Sequence, residues 1–401
     1  MNVMTNPIPS HVPRELVQDF DIYFHGTYEY VFDHWKSLHE PGRPEIFWTP
    51  RNGGHWICTR ADDVEEVYKN YENFTTVPYA NAIPFREVPA PPLPIASDPP
   101  EHGEYRRLIN SFFFPKRVAQ VGEHARVLIN EIMDRVIPQG GCEFYNDVSM
   151  DMPIHAFLGL AGLPGSYWST LMPWARSLVR DPDPELAVSV TQEVWDFLKG
   201  CMADRKAHPG DDPLTALVEG DVFGRKMTEN EYVGSALNFM LAGLDTTPAT
   251  LSIVAHYLAT QPEQRRRLVE DPSLIPLAVE ELLRRFPAGV TGRMVKNDLT
   301  YKGVQLKAGD AILSPAILGN LDERRFPDPM TVDFHRKGLN QMLTFGAGPH
   351  RCVGSMLARM QIRVFMEEWL KRIPEFHVAE GEVPEMHCGI AMAMTYLPLR
   401  W

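Results

Sequence analysis

The sequence has few cysteines, with five in 401 residues. They stand at positions 58, 142, 201, 352 and 388, and no CxxC pair or Cys/His spacing typical of a zinc site joins them. An odd and scattered set predicts neither a disulfide framework nor a zinc finger. A reducing compartment, the cytoplasm, fits this usage best.

Long apolar runs and an excess of basic residues are also lacking. No apolar stretch approaches the roughly 18 residues that a membrane-spanning helix needs. The first residues, MNVMTNPIPSHVP, lack the basic and apolar regions of a secretory signal. The net charge of −13 disfavours a nucleic-acid partner, because phosphate binding requires a concentrated basic surface. We therefore expect a cytoplasmic protein that binds neither membranes nor nucleic acids.

The apolar periodicity predicts a mainly α (α+β) protein with small sheets. Helices are predicted at 119–137, 187–206, 229–260, 262–270, 274–286 and 353–372. Two hairpins are predicted, at 46–60 around Asn52-Gly53-Gly54 and at 299–313 turning near Lys302-Gly303. The proline-dense segment 76–100 predicts a long loop, and long loops in compact folds often carry function.

One cysteine stands in a glycine-rich stretch, TFGAGPHRCVG, just before a predicted helix. Thiolates are favoured at helix N-termini, and Gly346 and Gly348 permit turns that aim backbone N–H groups at the sulfur of Cys352. Gly354 leaves room for close approach of a flat group, and Phe345 supplies an aromatic wall. A buried structural cysteine is the alternative. A phosphate-binding loop is a second one, but the spacing matches neither the P-loop nor the dinucleotide fingerprint.

Polar residues interrupt a long apolar helix in NFMLAGLDTTPAT. Asp245, Thr246 and Thr247 would cost free energy there unless they serve a site, a turn or a cap. Pro248 cannot donate to the carbonyl of Leu244, so the helix is expected to open or kink at this turn. Alternatively, one of the two threonines caps a new helix that begins at the proline.

Two further pairs have helical spacing. Glu281 and Arg284 are three residues apart in AVEELLRRF, and His102 and Arg106 are four apart in DPPEHGEYRRL. Each pair lies on one helix face, and taken alone each is better explained by an exposed surface contact.

The pattern F-x-x-G-x-x-x-C-x-G resembles the haem-thiolate loop of the cytochrome P450 family. The similarity extends over nearly the whole chain, through segments such as NGGHWICTR, GLDTT, EELLRRF and GVQLKAGD, and is closest to the soluble bacterial camphor-hydroxylase group. It implies a single P450 domain over residues 1–401, in which about the first 15 residues form an extended arm. Haem b would lie between the distal helix and the cysteine loop, with Cys352 as the axial iron ligand.

The resemblance also implies roles for the other candidates. Asp245 and Thr246 match the family's acid–alcohol pair, which relays protons so that the O–O bond breaks heterolytically. Glu281 and Arg284 match a structural pair that supports the cysteine loop, with Arg336 expected as a third partner and Arg324 as the alternative. The residues expected to contact the haem are His102, Arg106, Arg293, Phe345, His350, Cys352 and Gly354.

The implied reaction is hydroxylation of a small hydrophobic substrate by O2, with two electrons from a [2Fe-2S] ferredoxin and its flavin-dependent reductase. A monomer is expected. A ferredoxin could dock on a basic surface near the cysteine loop, although an ordinary solvated face explains the same residues: Arg107, Lys116, Arg117, Arg351, Arg359 and Arg363. A peroxide-driven peroxygenase and a non-catalytic haem sensor or carrier are the alternatives, and the acid–alcohol pair argues against both.

The substrate segment departs from the camphor hydroxylases. Their substrate-binding tyrosine has no counterpart in REVPAPPLPIAS, and Tyr79 lies well upstream. Camphor is therefore doubtful, and a compact terpenoid such as a cyclic ketone or norisoprenoid is expected. From their positions in the chain, the residues expected to line the substrate pocket are Leu93, Ile95, Asn238, Leu241, Gly289, Val290, Ile390 and Ala391.

Overall fold

The computed structural model describes residues 7–78, 83, 91–180 and 184–401, without the side chains of 175–188 and 245. In these ranges the α-helices are α1 Tyr28–Lys36, α2 Ala61–Lys69, α3 Glu101–Asn110, α4 Pro115–Val136, α5 Asp151–Leu160, α6 Trp168–Arg180, α7 Pro184–Ala207, α8 Pro213–Glu219, α9 Glu229–Thr260, α10 Pro262–Glu270, α11 Ile275–Arg285, α12 Ala316–Asn320 and α13 Ser355–Arg372. None of these helices is long and apolar enough to cross a membrane.

The strongest sequence signals produced the helices that were predicted best. The predicted bounds of α9 and α10 are those observed, and α4, α7, α11 and α13 lie within a few residues of prediction. A capping box starts α9, since Thr228 and Glu231 each satisfy the other's backbone N–H. The short helices α1, α2, α5, α8 and α12 were not predicted.

Small sheets surround this helical body. The strands are β1 Phe24–Gly26, β2 Ile46–Thr49, β3 His55–Cys58, β4 Phe74–Thr75, β5 Gly141–Glu143, β6 Asp221–Val222, β7 Arg225–Lys226, β8 Val290–Val295, β9 Leu299–Tyr301, β10 Val304–Leu306, β11 Ala311–Pro315, β12 His377–Val378, β13 Glu385–Cys388, β14 Ala393–Tyr396 and β15 Pro398–Arg400. The largest sheet has the order β2-β3-β11-β8-β4. The mainly α fold class with small sheets is confirmed.

The first predicted hairpin is confirmed, and the second is confirmed only in part. Strands β2 and β3 pair across a turn in which Asn52, Gly53 and Gly54 all have positive φ. Strands β9 and β10 turn at Lys302 and Gly303, as expected. The prediction for the rest of 299–313 was wrong, because β11 joins the large sheet between β8 and β3. That pairing joins residues far apart in sequence, which local alternation cannot reveal.

Two large apolar clusters fill the interior. One contains buried residues of α1, α4, α11, α13 and the second half of α9. The other contains buried residues of α5, α7, α8 and the first half of α9. Phe239 of α9 and Val353 of the cysteine loop pack against both clusters. The middle of α9 and the cysteine loop therefore meet where the two halves of the core join.

The predicted 76–100 loop lies only partly within the described residues. Its described positions, 76–78, 83 and 91–100, form neither helix nor strand, as predicted. Positions 79–82 and 84–90, including Tyr79, lie outside the description.

Candidate active site

The cysteine loop has the backbone that its glycines predict. Gly346 and Gly348 have φ of 66° and 69°, a region that L side chains rarely adopt. A Cβ on Gly348 would also lie 2.9 Å from the Cα of Lys69, so no side chain fits there. The turn closes when the N–H of Cys352 donates to the carbonyl of Phe345 at 2.9 Å. The loop is thus tightly folded and presents its thiol just before α13.

Cys352 is an exposed residue, whereas the four other cysteines are buried. Its sulfur accepts a hydrogen bond from the N–H of Gly354. Enclosure by the protein raises the thiol pKa, while the Gly354 N–H and the guanidinium of Arg106 act in the opposite direction. A Cβ on Gly354 would lie in ordinary van der Waals contact with the sulfur, at 3.8 Å, so the glycine leaves this side of the sulfur uncovered.

Phe345 forms a wall of this loop. Its ring lies 4.5 Å below the guanidinium of Arg359, which pairs with Glu280 at 2.6 Å. The Arg359–Glu280 pair therefore supports one face of the Phe345 ring.

Two histidines expected near the haem lie face to edge, with ring centroids 4.4 Å apart. His102 comes from α3 and is buried, and its Nε2 has no partner among the described residues. His350 comes from the cysteine loop and lies 3.4 Å from the hydroxyl of Thr76. Burial, with the nearby Arg106 adding to it, lowers the pKa of His102 to about 4. Burial followed by the charge of Arg293 lowers the pKa of His350 to about 2, so both rings are neutral at pH 7.

Two arginines adjoin the histidines. Arg106 donates from Nη2 to the carbonyl of Arg351 at 2.6 Å, which ties α3 to the cysteine loop. Arg293 is buried on β8, stacked 5.4 Å from the ring of Tyr68. Neither Arg106 nor Arg293 has a salt bridge within the described ranges, and burial lowers the pKa of both. A buried cation is costly without an anion, so this set fits a ligand that brings carboxylates, as the haem propionates would.

A stripe of α9 is accessible although the helix runs through the core. Ala242 and Thr246 are exposed and Asn238 and Leu241 half-buried, while Leu237, Met240, Leu244 and 247–259 are buried. These positions share one face because their spacing is three to four residues. The cysteine loop is close to this helix: Phe113 lies 3.9 Å from the Cβ position of Gly354, and its ring lies 5.8 Å from that of Phe239.

The alternative in which a threonine caps a new helix is wrong. The helix α9 continues from Glu229 to Thr260 with Pro248 inside it. The Thr246 hydroxyl donates to the carbonyl of Ala242 at 2.9 Å, and Thr247 is buried. The Pro248 carbonyl accepts from the hydroxyl of Ser149 at 2.7 Å. Asp245 lies on α9, but its side chain is outside the description.

The structural pair is fully buried. Glu281 and Arg284 contact each other at 2.8 Å with neither side chain exposed. Arg336 is the third member, at 2.9 Å from Glu281, as predicted. The alternative, Arg324, pairs with Glu45 at 2.7 Å and does not join the cluster.

Asn320 joins this cluster to the cysteine loop, and no sequence feature had identified it. Its carbonyl accepts from Arg284 at 2.9 Å, and its amide donates to the Thr344 hydroxyl at 2.9 Å. Its Oδ1 accepts from the N–H of Leu343 at 2.7 Å. Arg284 therefore reaches the start of the cysteine loop through one residue.

The predicted substrate-lining residues come together in two groups. Asn238 of α9 donates to the carbonyl of Leu93 at 3.5 Å. Gly289 bridges Ala391, and the N–H of Val290 donates to the carbonyl of Ile390 at 2.8 Å. Leu93, Ala288, Met240 and Ala393 belong to one apolar cluster, against which Leu241 packs. Ile95 is half-buried, and no contact places it in either group.

Ion pairs partly neutralise the predicted basic surface. Its paired members are Arg107 with Glu104, Arg117 with Asp211, Arg359 with Glu280 and Arg363 with Glu367. Lys116 and Arg351 are exposed and have no salt bridge within the described ranges.

Comparisons with known proteins identify the family. The family model described as Cytochrome P450 matches residues 169–395. A probable cytochrome P450 127A1 of Sinorhizobium fredii is 32% identical over 100% of this chain and 98% of its own length. A steroid C26-monooxygenase of Mycolicibacterium smegmatis is 31% identical over 73% of this chain and 75% of its own.

Solved structures extend the likeness to the whole fold. The crystal structure of CYP101J2 superposes with a TM-score of 0.90 at 30% identity, covering 99% of each chain. That of CYP101C1 has a TM-score of 0.89 at 33% identity, covering 98% of this chain and 100% of its own. The chain therefore belongs to the cytochrome P450 family and is a monooxygenase with haem b as its cofactor.

Proposed function

We propose that this monooxygenase hydroxylates a compact terpenoid-type substrate and takes its electrons from a [2Fe-2S] ferredoxin reduced by a flavin-dependent reductase. The observation that carries the proposal is the accessible stripe of α9, which exposes Thr246 on a helix that otherwise runs mainly through the apolar core. A hydroxyl there serves a reaction rather than packing. We further propose that the protein acts as a cytoplasmic monomer.

The residues around the cysteine loop would hold the haem in three ways. Cys352 would bind the iron through its sulfur, which the Gly354 N–H supports. His102, Arg106, Arg293 and His350 would bind the propionates. Phe345 would wall the ring, and Gly354 would allow its close approach. When bound, the haem supplies dioxygen activation, and electron donation from the thiolate favours O–O cleavage.

We assign the proton relay to Asp245 and Thr246. The Thr246 hydroxyl keeps its hydrogen on the helix, shared with the Ala242 carbonyl, and its oxygen stays exposed on the accessible stripe. It can therefore pass that proton and be replenished, with Asp245 as the acid at the neighbouring position.

Replacing Thr246 by alanine is expected to uncouple the enzyme. Product formed per electron should fall about tenfold or more, because general acid catalysis is lost while electron delivery is not. Hydrogen peroxide should account for the missing electrons. The assay compares NADH consumption, peroxide and product in the reconstituted system.

The matched control is Thr250→Ala. Thr250 lies one turn further along the same face of α9, where it is buried, and its hydroxyl donates to the Thr246 carbonyl at 2.9 Å. The Thr250→Ala variant should form as much product per electron as the wild type. Unchanged coupling in Thr246→Ala would remove the relay from the proposal.

Lys116 and Arg351 are the best-placed cations for a ferredoxin. Two exposed apolar side chains, Phe114 and Met356, are close to them in the chain and are 58% and 42% exposed. An apolar centre with unpaired basic neighbours is the kind of surface that an acidic partner recognises. The paired arginines around it contribute less, because their own carboxylates offset them.

Reversing the charge of these residues should slow reduction by the ferredoxin. We expect Lys116→Glu combined with Arg351→Glu to lower the second-order rate about tenfold at low ionic strength and to reduce its dependence on salt. Stopped-flow formation of the CO complex measures this rate. Reduction by dithionite should be unaffected, which would establish that the haem site is intact.

The control is Arg266→Glu on α10, an exposed arginine far from the cysteine loop in the chain. It makes the same change in net charge per site. If the loss of rate per reversed charge is the same in the control as in the combined variant, total charge, not this surface, governs association.

A further inference from the structure

We propose that the side-chain amide of Asn238 is a specificity determinant that selects substrates carrying a ketone oxygen. This inference rests on the proposed function and names one feature of its substrate: a hydrogen-bond acceptor at the end of the molecule remote from the carbon that is hydroxylated.

The carboxamide of Asn238 makes fewer hydrogen bonds to the described residues than it is able to make. Its one hydrogen bond within the described ranges is to the Leu93 carbonyl, at 3.5 Å, the long limit for such a bond. Because that partner is an acceptor, the amide must turn Nδ2 towards Leu93. An amide has two N–H donors and a carbonyl acceptor, so a second N–H remains for a ligand.

The surroundings of Asn238 make this polar group costly once a substrate displaces water from the stripe, unless the substrate itself satisfies the amide. Leu237 and Met240 are buried beside it on α9, and Leu241 packs on the same apolar cluster. A half-buried amide with one weak bond loses free energy relative to water. Leucine would suit the same position if packing were its whole role.

The position of Asn238 is suited to orient a substrate. Asn238, Ala242 and Thr246 are spaced by four residues and form the accessible stripe of α9. Eight residues of helix separate the amide from the Thr246 hydroxyl by about 12 Å along the axis. A hydrogen bond takes up about 3 Å of this distance. The remainder suits a compact terpenoid skeleton whose far end reaches the relay.

Two backbone carbonyls near the predicted lining are already engaged. The Ile390 carbonyl accepts from Val290, and the Ala288 carbonyl accepts from Met392, both at 2.8 Å. The side chains of Leu93, Leu241 and Ala391 have no hydrogen-bonding group. Among the described residues of the predicted lining, Asn238 is thus the one whose side chain can donate a hydrogen bond to a substrate carbonyl.

The test compares ketones with their parent hydrocarbons. Dissociation constants are measured from the spin-state shift for menthone against p-menthane and for camphor against bornane. The wild type should bind at least one ketone roughly fivefold to tenfold more tightly than its hydrocarbon, the range that one hydrogen bond supplies. Asn238→Leu should abolish that preference and leave hydrocarbon binding within about threefold.

Two further variants keep the result interpretable. Asn238→Ala removes the amide without filling space and should also lose the preference. Leu241→Ala changes an apolar neighbour on the same stripe and should weaken ketone and hydrocarbon equally, keeping their ratio. The inference fails if the wild type shows no ketone preference, binds neither ketone, or keeps its preference in both Asn238 variants.

The reduced CO spectrum separates this inference from the proposed function. All variants should retain the red-shifted Soret band of thiolate ligation. Absence of that band in the wild type would overturn the proposed function itself. A normal band with an unchanged ketone preference would overturn the role of Asn238 alone.

Discussion

Replacing Cys352 by alanine will abolish the red-shifted Soret band of the reduced CO complex and lower hydroxylation by about 1000-fold or more. The reason is that the thiolate supplies the electron donation that favours O–O cleavage. A loss of this size corresponds to roughly 4 kcal/mol of transition-state stabilisation. The measurement is the difference spectrum together with turnover in the reconstituted system.

Cysteine controls make the result specific. Cys201→Ala removes a buried thiol from α7, so the band and turnover should persist with a stability loss of about 1 kcal/mol. Cys352→His offers the iron a different ligand if the alanine variant does not hold haem, and its band should be unshifted. A red-shifted band in either Cys352 variant would contradict the assignment of this ligand.

Replacing Glu281 by alanine will destabilise the fold by about 3–5 kcal/mol. Arg284 would lose its carboxylate at a site where neither side chain is exposed, and Arg336 would lose the same partner. Breaking a buried pair from one side leaves an uncompensated charge, which is the costly case. Because Asn320 connects Arg284 to the cysteine loop, the yield of haem-loaded protein should fall as well.

The adjacent residue provides the control. Glu280 pairs with Arg359 at a partly exposed position, with 31% and 27% of the two side chains accessible. Glu280→Ala should therefore cost less than about 1 kcal/mol. Urea midpoints and haem content measure both variants. Equal effects of the two substitutions on stability and haem content would show that burial of the Glu281 cluster does not increase the cost of losing its carboxylate.

Much of the site was predictable because its residues lie close together in the chain. Gly346, Gly348 and Cys352 occupy one turn, and their backbone conformation follows from residue type. The bounds of α9 followed from its apolar sequence, even across Pro248. Pro248 does not end the helix, since one missing hydrogen bond is outweighed by burial on both sides of the turn, and the expected opening or kink at this turn stays a prediction.

Other features depend on which distant segments pack together. Arg336 and Arg324 lie in the same stretch, and packing alone brings Arg336 to Glu281 and directs Arg324 to Glu45. Strand β11 is not part of the predicted hairpin, because it pairs with β8 and β3 instead. The basic surface was overestimated because the acidic partners of Arg117 and Arg359 come from other elements.

The sequence by itself determined the family, the cofactor and the turn of the cysteine loop, because this loop is a local motif whose glycines dictate the turn. Only the tertiary structure decided how the buried arginine reaches that loop through Asn320, and how the Asn238 amide lies against Leu93. The physical reason is that a side chain's hydrogen-bond partner depends on which elements pack beside it, and that packing is settled by burial over the whole chain.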